Sequence, residues 1–205
     1  MSMNPTAVDQ PAGIGTGAVV LVVGPSGAGK DTVLRQTKER VTGDRRFFFA
    51  TRVVTREAHS SEDHHSLTRA DFEAELGREA FALHWRAHGH CYAIPAEVDD
   101  VVRSGRIAIF NASRGAVLAA RQRYASVATV LIDAPLEIRM RRLALRSRET
   151  PADIQVRLAR VVAGFSCADV DLSIDNSGTP EAAAERLFNW LERLSSRMGH
   201  SPAAG

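Results

Sequence analysis

Short apolar runs alternate with longer segments of mixed polarity along this chain. Five runs rich in β-branched and aromatic residues are candidate strands: AVVLVVG (18–24), FFFATRVVT (47–55), RIAIFNA (106–112), VATVLIDA (127–134) and DLSIDN (171–176). Strands separated by helical segments are typical of βαβ units, in which the strands lie parallel. The pattern therefore predicts an α/β fold built on a parallel sheet.

The segments between these runs predict seven helices. Their expected bounds are 30–41, 69–76, 95–104, 113–124, 135–146, 151–163 and 180–197. Four of them begin at a proline, which suits the first turn of a helix because that turn needs no amide donor. The stretch 45–96 is longer than a simple crossover, so we interpret it as an insertion that covers the substrate. The stretch RSRETPAD (146–153) is expected to form a mobile lid.

The composition narrows the class of protein. A chain of 205 residues with 44% hydrophobic and 24% charged residues suits one globular domain, which we place at 18–197 between a flexible leader (1–17) and a C-terminal tail (198–205). No apolar run approaches the roughly 18 residues of a membrane span, and the first residues lack the features of a signal peptide. A net charge of +2 without a basic stripe argues against nucleic acid as the partner. Two cysteines fit a reducing cytoplasm. We expect a cytoplasmic protein that acts on a small molecule, and the oligomeric state stays open.

The stretch GPSGAGKDT (24–32) carries the strongest chemical signal. It matches G-x-x-x-x-G-K directly after a predicted strand and before a predicted helix, which is the context of a phosphate-binding loop. The glycines let backbone amides turn toward the phosphates, and the helix N-terminus adds positive potential. The residues expected to bind ATP here are Gly24, Pro25, Ser26, Gly27, Ala28, Gly29, Lys30, Asp31 and Thr32. Lys30 would neutralise charge on the transferred phosphoryl group.

Asp31 departs from the usual pattern, in which a serine or threonine follows the lysine and supplies a hydroxyl to Mg²⁺. A carboxylate beside a triphosphate is repelled unless a cation lies between them. Asp31 is therefore a candidate ligand of Mg²⁺, directly or through water. The alternative is that Asp31 only stabilises the first turn of its helix through the helix dipole.

Four segments in register resemble the guanylate kinase family over about 18–196: GPSGAGK, VVTRE, HCYAIPAEVDD and RSRETPADIQVRL. The resemblance implies a three-layer αβα P-loop fold with an acceptor-binding insertion and a lid. It assigns the phosphate of the acceptor to Arg56 and Tyr92, and the neighbourhood of the adenine to Asn176. The family's lid arginines correspond to Arg146 and Arg157. This chain adds Arg148, so the expected catalytic residues are Lys30, Arg146, Arg148 and Arg157. The alternative for the three arginines is that they form an ordinary solvated face.

The positions that would read a guanine base differ from that family. Guanylate kinases use acidic residues in the strand that here reads RIAIFNASR, and the aligned positions are Ile109 and Asn111. An isoleucine cannot accept the N–H groups of guanine, and each donor left unpaired costs about 1–3 kcal/mol. His59 and His64 replace an arginine and a tyrosine of the family. Guanine is therefore not the expected acceptor.

The altered pocket is similar to that of the ribose 1,5-bisphosphate phosphokinases of phosphonate breakdown. The shared features are G-K-D at the loop, E-x-H at 62–64, the segment HWRAHGHCY (84–92) and N-x-S-R at 111–114. This resemblance implies that ATP, with Mg²⁺, phosphorylates the 1-phosphate of ribose 1,5-bisphosphate and yields 5-phosphoribosyl diphosphate. The substrate-binding residues expected on this basis are Arg56, Glu62, His64, Tyr92, Asn111, Ser113 and Arg114.

Other interpretations stay open. A nucleoside monophosphate kinase of the guanylate kinase type is the main alternative, which acceptor preference would distinguish. A non-catalytic binding module of the same fold would not need an intact phosphate-binding loop. A zinc site built from His84, His88, His90 and Cys91 has suitable ligand types, but their spacing matches no closed pattern.

Overall fold

The computed structural model describes residues 13–56, 64–87, 89–145 and 165–200. Within these ranges the strands are β1 (Ala18–Val23), β2 (Phe47–Phe49), β3 (Arg52–Val54), β4 (His64–Ser66), β5 (Phe81–Ala87), β6 (His90–Pro95), β7 (Ile107–Asn111), β8 (Val127–Asp133) and β9 (Leu172–Asp175). The α-helices there are α1 (Lys30–Arg40), α2 (Arg69–Gly77), α3 (Glu97–Arg103), α4 (Val117–Arg123), α5 (Leu136–Ala144) and α6 (Pro180–Arg197). The predicted lid (146–153) and the predicted helix at 151–163 lie outside the described residues.

A five-stranded parallel sheet of order β2-β7-β1-β8-β9 forms the centre of the molecule. Every residue of β1 is buried, as expected for a central strand of a parallel sheet. Val19 and Leu21 pack into one core with α3 and α4, whereas Val20 and Val22 pack into a second core with α1 and α6. The sheet lies between two helical layers, which confirms the three-layer αβα fold.

The prediction of one strand over 47–55 is wrong, because this segment forms two strands in different sheets. β2 pairs with β7 in the central sheet, whereas β3 pairs with β4 and β6 in a second sheet of order β4-β3-β6-β5. Ala50 and Thr51 join them, and the Ala50 amide donates to the Ile109 carbonyl at 2.9 Å. Both halves are apolar, so the sequence pattern carries no sign of the break.

The second sheet buries one face against α2. Val53, Cys91 and Ala93 form a small core there with Phe72 of α2. Since directly paired residues share a face and successive residues alternate, the register places Arg52, its partner His64 and Tyr92 on the opposite face. The face of this sheet opposite α2 therefore carries the polar side chains of Arg52, His64 and Tyr92.

The last residues of the predicted leader are bound to the domain. The Ile14 amide donates to the Arg123 carbonyl at 2.8 Å, and the Gly17 amide donates to the Val102 carbonyl at 2.9 Å. Residues 13–17 therefore belong to the folded body, and 1–12 lie outside the described residues. No helix in the described ranges combines the length and the apolar content that crossing a bilayer requires.

Candidate nucleotide- and acceptor-binding site

The loop from Gly24 to Gly29 connects β1 to α1 at the carboxyl edge of the central sheet. Gly24 has φ of 150°, and a Cβ there would collide with the Ile132 carbonyl of β8. Gly29 has φ of 86°, and a Cβ there would lie 2.5 Å from Nδ2 of Asn176. Both positions exclude a side chain, so the loop lies directly against the ends of β8 and β9.

The Lys30 ammonium folds back over this loop. Its Nζ donates to the carbonyl oxygens of Gly24 at 2.9 Å and Pro25 at 3.0 Å. These contacts hold the only cation of the 24–32 stretch beside the loop backbone. A phosphate in the loop would be a stronger acceptor than a neutral carbonyl, so the ammonium can pass to it.

Asn176 follows β9 and ties the loop to two further elements. The side-chain Nδ2 of Asn176 donates to the Ala28 carbonyl at 2.8 Å, and its backbone amide donates to the Asp133 carbonyl at 2.7 Å. The backbone carbonyl of Asn176 accepts from Nη2 of Arg142 at 2.9 Å. The structure thus gives Asn176 a role in shaping the loop, and its predicted position beside the adenine stays a prediction.

Arg142 of α5 is a candidate phosphate contact that sequence reasoning missed. Its Nη1 is buried without a hydrogen-bond partner among the described residues. A Cβ on Gly29 would lie 3.6 Å from that nitrogen, so the guanidinium lies beside the loop. The available signal was the spacing of four residues between Arg142 and the predicted lid arginine Arg146, about one helical turn.

Asp31, the first residue of α1 after Lys30, joins the loop to both sheets. Its carboxylate accepts from Nδ2 of Asn111, at the end of β7, at 2.6 Å. It also accepts from Nη2 of Arg52, at the start of β3, with distances of 3.3 and 3.4 Å to its two oxygens. One carboxylate therefore connects the nucleotide side of the site to the second sheet.

A cavity of about 330 Å³ lies between α1 and the ends of β2 and β7. Phe49 and Ile109 are among its apolar lining residues. Polar lining residues come from β3, β7, one side of α1 and the turn after it: Arg52, Asn111, Asp31, Arg35, Lys38, Glu39 and Thr42. Ile109 is one of the two positions where guanylate kinases carry an acid. It lines this cavity, and its side chain offers no hydrogen-bond acceptor. Arg52 was missed by sequence reasoning because it was taken as part of one continuous strand.

Other predicted acceptor residues lie on or beside the face of the second sheet opposite α2. The Tyr92 ring stacks on Trp85, with ring centroids 5.7 Å apart and planes inclined by 5°. Arg56 follows β3, and its carbonyl accepts from the Ser66 hydroxyl at 2.8 Å. Trp85 also packs against the first core, so it is a packing residue.

Ser113 and Arg114 follow β7 at the start of a short 3₁₀ turn (Arg114–Ala116) that lies near β5. The Ser113 hydroxyl makes no capping hydrogen bond to this turn, so its polar group is not committed to helix capping. Outside the described residues lie Glu62, His59 and the three predicted lid arginines Arg146, Arg148 and Arg157.

The metal-ligating side chains of the second sheet do not converge. His90 and Cys91 are successive residues of β6 and point to opposite faces, with Cys91 in the small core beside α2 and Nδ1 of His90 3.1 Å from the Thr55 carbonyl. Among the residues that the structure describes, no group of three or more metal-ligating side chains occurs.

Known proteins resemble this chain over most of its length. The family model for guanylate kinase matches residues 16–193. The ribose 1,5-bisphosphate phosphokinase PhnN of Rhodopseudomonas palustris is 46% identical over 175 residues, which are 85% of this chain and 88% of that protein. The protein of the same name from Bradyrhizobium diazoefficiens is 41% identical over 90% of this chain and 92% of its own length. The crystal structure of guanylate kinase from Anaplasma phagocytophilum matches with a TM-score of 0.64 at 20% identity, covering 87% of this chain and 86% of that one, which shows the shared fold.

Proposed function

Since this chain belongs to the guanylate kinase family, and within it to the ribose 1,5-bisphosphate phosphokinases, we propose that it transfers the γ-phosphoryl group of ATP to the 1-phosphate of ribose 1,5-bisphosphate. The products are ADP and 5-phosphoribosyl diphosphate. The reaction has its place in phosphonate breakdown, and its need for ATP supports a cytoplasmic location.

The observation that carries this proposal is the charge of the acceptor cavity. Guanine needs hydrogen-bond acceptors for its N–H groups, but both carboxylates that line the cavity are already used: Asp31 accepts from Asn111 and Arg52, and the exposed Glu39 accepts from Arg35 at 2.8 Å. The lining also carries three cations, Arg35, Lys38 and Arg52. Guanidinium groups match the oxygens of a phosphate. The cavity therefore favours an anionic sugar over a guanine base.

The transfer step needs positioning and charge neutralisation more than proton transfer. An oxygen of the 1-phosphate attacks the γ-phosphorus, the bond from that phosphorus to the β,γ-bridging oxygen breaks, and ADP leaves with the electron pair. The attacking phosphate is already largely ionised at pH 7, so no strong general base is required. We assign the neutralisation of charge on the donor phosphates to Lys30 and Arg142, which lie beside the loop, and to Arg146, Arg148 and Arg157. Arg56 and Tyr92 hold the reacting phosphate of the acceptor.

The residues present fit Mg²⁺ as part of a nucleotide complex. Mg²⁺ is usually bound by one or two carboxylates together with substrate phosphates and water, and Asp31 is the only carboxylate in the 24–32 stretch. Asp31 and the Thr32 hydroxyl would hold the ion, which when bound neutralises charge on the β- and γ-phosphates. The contact between Asp31 and Arg52 has to loosen for this, and its length of 3.3 Å is compatible with such a change.

The proposal is tested by incubating the purified protein with Mg-ATP and either ribose 1,5-bisphosphate or GMP, and following the products by phosphorus NMR and ion-exchange chromatography. We expect a new diphosphate resonance with the ribose compound alone. Comparable turnover of GMP would show that the cavity accepts guanine, and the guanylate kinase alternative would replace the proposal.

A further inference from the structure

Arg52 differs from Arg46, another arginine buried among the described residues, in how completely its donors are used. Arg46 has a side chain 12% exposed, and it binds Asp44 and Glu192 with Nη2 distances of 2.6 and 2.7 Å. The Arg52 side chain is nearly as buried, at 13%, but its ion pair with Asp31 is 3.3 Å long. Charge-assisted hydrogen bonds are usually 2.7–2.9 Å long. Arg46 has the contacts of a structural arginine, and Arg52 does not.

One N–H donor of the Arg52 guanidinium is also unused. Its Nε is buried and has no hydrogen-bond partner among the described residues, whereas Nε of Arg46 donates to both oxygens of Asp44 at 3.1 Å. A buried N–H without an acceptor is costly and uncommon in folded proteins. Because Arg52 lines the cavity, an anion bound there can accept from this group.

The placement of Arg52 suits a second phosphate of the acceptor. The proposed acceptor carries two phosphates, and Arg56 with Tyr92 accounts for the one that reacts. Arg52 starts β3 on the face that also carries Tyr92 and His64, and it is held at the cavity by Asp31, whose carboxylate is fixed in turn by Asn111 at 2.6 Å. The guanidinium is thus positioned before any ligand arrives.

We propose that Arg52 binds the non-reacting phosphate of the acceptor and thereby selects a doubly phosphorylated sugar, with Asp31 and Asn111 as positioning residues. This inference rests on the proposed function for the identity of the acceptor. The contribution of Arg52 is phosphate recognition by a planar donor fork, which a lysine reproduces only in part because its ammonium is a point charge.

The test that does not depend on turnover uses ribose 5-phosphate, which carries the non-reacting phosphate and no 1-phosphate. Its binding is measured by calorimetry on the wild-type protein and on the Arg52→Gln, Arg52→Lys and Arg86→Gln variants. Arg86 is a matched control, because it lies on the other face of the same sheet in an exposed ion pair with Glu73. We expect binding to weaken at least tenfold in Arg52→Gln, to recover in part in Arg52→Lys, and to stay unchanged in Arg86→Gln.

A kinetic comparison gives the second readout. The wild-type protein should use ribose 1,5-bisphosphate with a much higher kcat/KM than ribose 1-phosphate, and Arg52→Gln should lose most of this preference through KM rather than kcat. The inference is overturned if the wild-type protein does not bind ribose 5-phosphate. It is also overturned if Arg52→Gln binds ribose 5-phosphate as tightly as the wild type does. Arg52-dependent binding without turnover of the bisphosphate would refute the proposed function and leave the phosphate site standing. If Arg52→Gln does not fold, the folded Arg52→Lys variant decides between these outcomes.

Discussion

Asp31 connects the two halves of the proposed site. It directly follows Lys30 in the phosphate-binding loop, yet its carboxylate contacts Asn111 and Arg52, which we assign to the acceptor side. The sequence showed that this position is unusual and proposed two roles for it, Mg²⁺ binding and helix stabilisation. It could not show the two partners, because they are 21 and 80 residues away along the chain.

We expect Asp31→Asn to reduce the dependence of ATP binding on Mg²⁺. The amide oxygen can still accept from Asn111, so the local structure is retained while the negative charge is lost. Calorimetry of ATP binding with Mg²⁺ and with EDTA should show the ratio of the two affinities falling roughly tenfold, a size typical of groups that support a metal site. An unchanged ratio would leave the helix dipole as the role of Asp31.

The Arg142 guanidinium supports a second prediction about a single side chain. Its buried Nη1 beside Gly29 is expected to meet a donor phosphate, so Arg142→Gln should lower kcat/KM for ATP by about 100-fold, as removal of one preorganised donor does. The KM for the acceptor should change little. The exposed neighbour Arg141, changed to Gln, is the control. Unchanged ATP kinetics would show that Arg142 has only a structural role, through its hydrogen bond to the Asn176 carbonyl.

At the scale of elements, local pattern predicts the helices and most strands because periodicity and turn residues act over a few neighbours. α6 shows this well, since Thr179 caps it, Pro180 begins it and its bounds agree with the prediction. The 47–55 segment shows the limit. Its break into β2 and β3 depends on pairing with β7 in one sheet and with β6 in another, partners that lie far along the chain.

Asp99 of α3 fastens this helix to the end of α4. It is 5% exposed and accepts from Arg123 and from the Tyr124 hydroxyl, the latter at 2.8 Å. Burial raises the pKa of Asp99, but the hydrogen bonds from Arg123 and Tyr124 outweigh it and hold this pKa below its usual value. A carboxyl with a lowered pKa contributes stability above its unfolded pKa of about 3.9, and this is lost as the pH falls through the folded value.

We therefore expect Asp99→Asn to lower the free energy of unfolding at pH 7 by about 1–2 kcal/mol, because the Arg123 guanidinium, whose side chain is 37% exposed, loses its anionic acceptor. Denaturant titrations from pH 7 down to pH 2.5 should also show a smaller loss of stability below about pH 4 than in the wild type. Asp100→Asn is the control, since the Asp100 side chain is 83% exposed. An Asp99→Asn protein as stable as this control would contradict the assignment.

At the scale of the whole molecule, the loop is connected to the ends of two strands of the central sheet and to α5. Contacts run from the loop to β8, to Asn176 after β9 and to α5, so a ligand held there binds the folded state and not the unfolded chain. Binding of this kind raises the apparent stability of the entire domain.

Mg-ATP at 100 times its Kd should stabilise the protein by about 2.7 kcal/mol, which for a domain of this size raises Tm by about 5–10 °C. Lys30→Met should lose most of this increase, because the cation beside the loop is gone. Arg193→Met, an exposed change on α6, should retain it. Thermal unfolding followed by circular dichroism provides the measurement, and an equal rise in the Lys30→Met protein would contradict the placement of the nucleotide.

The sequence by itself determined the α/β class, the phosphate-binding loop and the absence of acidic groups at Ile109 and Asn111. These features depend on residue types and short spacings that act locally. Only the tertiary structure decided that Asp31, Asn111 and Arg52 meet, that the face of the second sheet opposite α2 carries Arg52 and Tyr92, and that Arg142 reaches the loop. Such contacts join segments distant in the chain, and their geometry exists only once strand order and register are set.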